Sequence, residues 1–170
     1  MTVPSGIFRM GFRRSWRLGL GAAFLCLFWS GAFGQATLTD DAYTLRSEPN
    51  ANLGHAAALQ LSSTSSVYLK FDLSRLRAAG FTSATMARAR LILSLASRPT
   101  AGSFLVCPIR DTWSETSITF DTAPEPPNPC SAKHSVEANW DNRLIITDVT
   151  PIVRQWLEAN ATTAALVVVA

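Results

Sequence analysis

The chain has 170 residues, is 48% hydrophobic and carries a formal charge of +3. Four of its fifteen basic residues, Arg9, Arg13, Arg14 and Arg17, stand near the N-terminus, while all twelve acidic residues come later. Eleven basic residues therefore face twelve acidic ones over the rest, so the basic character is local and supports no nucleic-acid partner.

Those arginines precede an apolar run, LGLGAAFLCLFW (Leu18 to Trp29), and then SGAFGQA. This order is that of a secretory signal peptide over residues 1–36, with small residues placing cleavage before Gln35 or Thr37. The apolar run falls short of the roughly 20 residues that a membrane span needs. The expectation is a secreted bacterial protein with no membrane span after cleavage, and a single domain from Thr37 to Ala170. Two cysteines remain in that stretch, Cys107 and Cys130. In an oxidising compartment they read as a disulfide, with two free buried thiols as the alternative.

Taken in chain order, short strands are expected at Asp41 to Leu45 and Ala57 to Leu61. SVYLKFDL follows, with Val67, Leu69, Phe71 and Leu73 on one face and Ser66, Tyr68, Lys70 and Asp72 on the other. SRLRAAG (Ser74 to Gly80) suits a short helical turn. ARARLILSLA repeats the alternation, with Ala87, Ala89, Leu91, Leu93 and Leu95 inward and Arg88, Arg90 and Ser94 outward. Such a period of two marks half-buried antiparallel strands. Further strands are expected at Ser103 to Ile109, Ile118 to Phe120, Arg143 to Asp148 and Ala164 to Val169. DVTPIVRQWLEAN reads as a helix capped by Thr150, with Pro151 at its first position and Trp156 plugging the open end of a sandwich. SEPNANLG, ASRPTAG and DTAPEPPNPCS supply the turns between elements. Many short strands with little helix predict an all-β, jelly-roll-like antiparallel β-sandwich. The closing ALVVVA is as apolar as a central strand; either its partners come earlier or further strands are missing, and the second reading is the expectation.

Five stretches in order carry a resemblance: DDAYTLRSEPNANLG, SSVYLKFDLSRL, ARARLILSL, DTWSETSITFDTAP and LIITDVTPIVRQWL. Together they resemble the secreted DNRLRE domain, also grouped as carbohydrate-binding module family 96, over Thr37 to Ala170. The resemblance implies a jelly-roll-like sandwich, found beside polysaccharide lyases, in bacterial surface proteins and ahead of collagen-like stalks. Members of that family continue past the strand matching ALVVVA with a Phe-Asp-Ser-Lys/Arg-Glu-Asn pattern and a closing strand, which this sequence lacks. A polysaccharide partner is implied, with an appended enzyme or stalk domain.

Trp113-Ser114-Glu115 could be a glycan-stacking tryptophan with an acid beside it. The resemblance makes it a structural corner instead, its indole N–H bonded to backbone. General acid catalysis by Glu115 would need a second carboxylate, Asp111 or Asp121, across a cleft. His55 and His134 lie far apart in sequence, and no nucleophile motif or phosphate loop is present, so the protein is expected not to be an enzyme.

For sugar binding, the candidates are Tyr68, Lys70, Arg88 and Arg90, provided their two strands pair, together with Trp140 and Arg143 in HSVEANWDNR. Aromatic rings stack on pyranose faces, and arginine forks match uronate carboxylates, which points to an acidic polysaccharide such as alginate. A solvated strand face is the plain alternative. Asp40, Asp41, Asn50 and Asn52 are candidate ligands for a structural calcium; no other cofactor is expected, and ordinary turn chemistry explains the asparagines equally well. The rival to sugar binding is a structural or adhesive head on a surface stalk.

Overall fold

The computed structural model of the protein describes residues 34–96, 101–110, 112–126, 130, 133–138 and 142–170. In chain order the elements are β1 (Thr37–Leu45), β2 (Ser65–Asp72), α1 (Ser74–Ala78), β3 (Arg90–Leu95), β4 (Gly102–Ile109), β5 (His134–Val136), β6 (Arg143–Asp148), α2 (Thr150–Glu158) and β7 (Thr163–Val169). Every pairing is antiparallel. One sheet runs β1-β2-β7-β4-β5, and β3 pairs with β6 in a second. This is the all-β sandwich that the alternation predicts.

The inward faces of the two sheets meet in the main core. Val67 and Leu69 of β2, Leu91 of β3, Phe104 and Val106 of β4, and Leu166 and Val168 of β7 are buried together there. Ile152, Val153 and Leu157 of α2 close one end of that core, and Trp156 packs half-buried beside them. Leu166 alone, at 1% exposure, is worth roughly 2–3 kcal/mol of burial.

β7 sits between β2 and β4 and is buried on both faces from Ala164 to Val168. A strand buried on both sides must be apolar throughout, which explains ALVVVA without invoking strands beyond it. The apolar ending therefore carries no statement about missing strands.

The outward face of the large sheet is also covered. Ala42, Tyr68, Cys107, Ile109, Ala165 and Val167 form a second apolar cluster with Trp113 and Ile118 from the loop after β4. By contrast, the outer face of the β3–β6 ribbon is bare: Ile92, Leu144 and Ile146 are 58%, 66% and 56% exposed.

Both helices begin with one device. β2 ends on Asp72, whose carboxylate accepts the Ser74 N–H at 2.8 Å and the Ser74 hydroxyl at 2.8 Å. β6 ends on Asp148, whose carboxylate accepts the Thr150 N–H at 2.9 Å. Thr150 is thus not the cap expected from its hydroxyl. That oxygen instead accepts the Ala89 N–H at 2.8 Å, tying the start of α2 to the approach to β3. The Ser74 N–H and then its hydroxyl hold the Asp72 carboxyl below its ordinary value; the nearby Thr150 hydroxyl and then its N–H do so for Asp148. A depressed folded pKa stabilises fully above the unfolded value, about 3.9, and the benefit is lost as pH falls through the folded value. Replacing Asp72 and Asp148 with asparagine is expected to flatten the low-pH limb of a melting-temperature profile. An unchanged acid limb would show that these carboxylates contribute nothing to it.

Other local expectations fail as well: Ala87, expected to face inward on a strand, is exposed ahead of β3, which begins only at Arg90. Ala57 to Leu61 is not a strand; its alanines are exposed, and only a Ser62–Ser65 bridge forms nearby. Ile118 to Phe120 is not a strand either, because the Ile118 N–H bonds the Ser114 carbonyl at 2.9 Å and the Thr119 N–H bonds the Thr122 hydroxyl at 3.0 Å. In the other direction, β5 arises in a stretch read as loop, paired with β4 through Phe104 and His134, whose rings stack at 5.2 Å. Among the described residues no helix is long and apolar enough to cross a membrane.

Candidate functional site

The segment Thr112 to Pro124 lies over the outward face of the large sheet and forms a corner. Trp113 is 6% exposed and meets Tyr68 edge-on, with ring centroids 5.9 Å apart at 68°. The Lys70 ammonium stands 4.8 Å from the Trp113 ring centroid and donates to the Trp113 carbonyl. That cation–π contact and hydrogen bond commit Lys70 to the fold. The Trp113 indole N–H is buried with no partner among the described residues, against the expected bond to backbone.

A second segment locks the corner in place. Asn52 donates its side-chain amide to the carbonyls of Glu115 and Ile118, each at 2.8 Å. Gly54 is buried against Glu115, and the Asp121 N–H bonds the Pro49 carbonyl at 3.1 Å. Arg46 lies 5.7 Å from the Phe120 ring centroid. SEPNANLG and DTWSETSITFDTAP are therefore two halves of one clamp. The Glu115 carboxylate stands 3.7 Å from His55 at the surface, and its N–H points to Asp40 at 3.5 Å. Asp111, considered as a catalytic partner for Glu115, lies outside the described residues.

The expected Tyr68–Lys70–Arg88–Arg90 face does not form. β2 is flanked by β1 and β7, whereas β3 pairs only with β6, so the two sets belong to different sheets. Tyr68, at 5% exposure, is core; burial pushes its phenol above the ordinary value, with the Thr44 hydroxyl opposing. Alternation along β2 was legible, but the layer that covers its outward face was not. Arg88 stands 3.9 Å from Asp148 at the surface, with Arg90 paired across the ladder from Asp148. Arg143 is exposed at the start of β6, opposite Leu95. Trp140 lies outside the described residues.

Of the calcium candidates, Asp40 and Asp41 are consecutive on β1, Asn50 is exposed on the following loop, and Asn52 serves the corner. Among the described residues no group of three or more histidine, cysteine or acidic side chains gathers to hold a metal.

Cys107 and Cys130 are joined in a disulfide. Cys107 lies fully buried on β4, so the bridge fastens the loop after the corner onto the sheet. Beside it is an open cleft of about 470 Å³. One wall is the end of β4 and the residue after it, Pro108, Ile109 and Arg110. A second is Pro124 and Glu125 of the disulfide-tied loop. The third is Gln155, Trp156 and Ala159 of α2. Prolines and a half-buried tryptophan form its apolar surfaces, while Arg110, Glu125 and Gln155 are exposed polar groups around them. Arg110, Glu125 and Gln155 were not singled out from sequence, because no motif marks them. Only Trp156 carried a signal, at the margin of an amphipathic helix.

The model of carbohydrate-binding module family 96 matches residues 32–170. The chain belongs to carbohydrate-binding module family 96. No curated protein matches it closely enough to be named as a relative. In this family 96 module the Trp-Ser-Glu corner acts as scaffold, and the cleft beside the disulfide combines apolar walls with hydrogen-bonding groups. Apolar walls with a few placed polar groups are the usual make-up of a small-ligand site.

Proposed function

We propose that the protein is an exported, non-catalytic carbohydrate-binding module that takes an acidic polysaccharide, with alginate the favoured class. The family 96 match over residues 32–170 carries this reading. The disulfide suits an oxidising compartment. The role of the Trp113–Glu115 segment in the clamp supports a scaffold function, rather than an acid catalyst, for its most conspicuous carboxylate. Exposed Arg88, Arg90, Arg110 and Arg143 supply cations suited to uronate carboxylates.

Affinity electrophoresis of the protein in gels containing alginate, pectin or neutral glucans tests the reading. Retardation by a polyuronate, weakening as salt rises, is the expected result. Free migration through every gel would overturn it. Release of unsaturated or reducing ends from the same polymers would overturn the non-catalytic part alone.

One observation favours a second reading, an adhesive or structural head without a glycan ligand. The bare aliphatic side chains on the β3–β6 ribbon form a surface of the kind that protein partners cover. Free migration in every gel would favour this reading.

A further inference from the structure

We infer that the cleft between the end of β4, the Pro124–Glu125 segment and α2 is where the sugar chain seats, with Trp156 as its stacking platform. The inference rests on the carbohydrate-binding reading above and adds the place and the residues. Its volume of about 470 Å³ falls within the roughly 300–1,000 Å³ typical of small-ligand sites. Being open to solvent, it can admit a stretch of a polymer, not only a detached small molecule.

Its chemistry fits a pyranose ring. Trp156 is anchored by packing against the main core while it also lines the cleft. A ring held in this way offers an apolar face at little cost in rotamer entropy. Pro108 and Pro124 stiffen the two other walls, and the Cys107–Cys130 bridge ties those walls together. The site is thus largely formed before ligand arrives. Around the platform, the Gln155 amide and the Glu125 carboxylate can accept hydrogen bonds from ring hydroxyls, and the Arg110 fork donates to hydroxyl or carboxylate oxygens.

Arg110 adds a cation to this place. Several other cations are already engaged: Lys70 with Trp113, Arg77 with the Ala161 carbonyl, Arg154 with the Met86 carbonyl, and Arg46 over Phe120. Arg110 is exposed at the cleft and forms no hydrogen bond or ion pair with a described residue. A cation left unengaged beside an anchored aromatic ring is available to a ligand at no cost to the fold.

Titration calorimetry with sodium alginate and with a neutral glucan, on the intact protein and on variants, tests the assignment. Trp156→Ala is expected to weaken binding of whichever polymer the protein takes by about tenfold or more, and Trp156→Phe to retain most of it. Because Trp156 also supports the core, the double variant R110A/Q155A is the second probe. It changes only exposed side chains and is expected to lose about tenfold in affinity with an unchanged melting temperature. R88A/R90A on the opposite sheet serves as the comparison and is expected to lose less than R110A/Q155A. If the intact protein binds while R110A/Q155A and Trp156→Ala bind equally well, the site assignment is wrong and the carbohydrate-binding reading stands. The assignment is also wrong if R88A/R90A alone abolishes binding. If the intact protein binds neither polymer nor any other in the gel panel, the reading fails and the site fails with it.

Discussion

Gly54→Ala is expected to destabilise the protein by roughly 3 kcal/mol and to lower its melting temperature by about 10 °C. A methyl group at this position would lie 2.8 Å from the Glu115 carbonyl carbon and closer still to its oxygen. That oxygen is backbone, so no flexible side chain can swing aside. It is also one of the two acceptors of the Asn52 amide. Relieving the overlap therefore means parting the two halves of the clamp, with loss of hydrogen bonds worth about 1 kcal/mol each. Ala51, directly before Asn52 and not part of the Gly54–Glu115 contact, makes a fair comparison: Ala51→Gly should change little. Thermal unfolding followed by circular dichroism measures both, and a Gly54→Ala variant melting within a degree or two of the parent would refute the close-contact argument.

Removing the disulfide in C107A/C130A is expected to cost about 3 kcal/mol on the chain-entropy model, given the 23-residue separation of its cysteines. The more telling result concerns where the loss falls. The bridge belongs to the outward cluster, whereas the main core between the sheets and α2 contains neither cysteine. The variant should keep its β-sheet spectrum at ambient temperature and lose order first in the loop bearing Pro124 and Glu125. Hydrogen exchange read by mass spectrometry should then show early deuteration around residues 112–126 and continued protection of β2 and β7. Uniform loss of protection would mean that the two clusters form one cooperative unit and that the covering layer is as essential as the core.

Much of the fold was legible because alternation is a direct imprint of a half-buried strand. β6 falls on Arg143–Asp148 as read, and α2 on the stretch marked by Pro151. The exceptions have physical causes. β5 is three residues long, too short for any period to show. Ile118 to Phe120 has the composition of a strand, yet its N–H groups are taken by a turn, a competition that alternation cannot register. The binding face was misjudged for a similar reason. A polar residue on an alternating strand predicts solvent only if nothing covers it, and Trp113 arrives from far along the chain to cover Tyr68 and Lys70. The cleft was the least legible feature. Its walls come from three separate segments, and Arg110, Glu125 and Gln155 acquire meaning only through that convergence.

The placement of β7 has a consequence for biosynthesis. Val67 pairs with Val168, and Val106 pairs with the same Val168 from the other side, so the centre of the large sheet is translated after both of its flanks. Until residues 163–169 emerge, the β1–β2 hairpin and the β4–β5 pair have no common partner. The nascent polypeptide cannot complete its hydrophobic interior before those residues are made, and such distant pairings make acquisition of the native state slow.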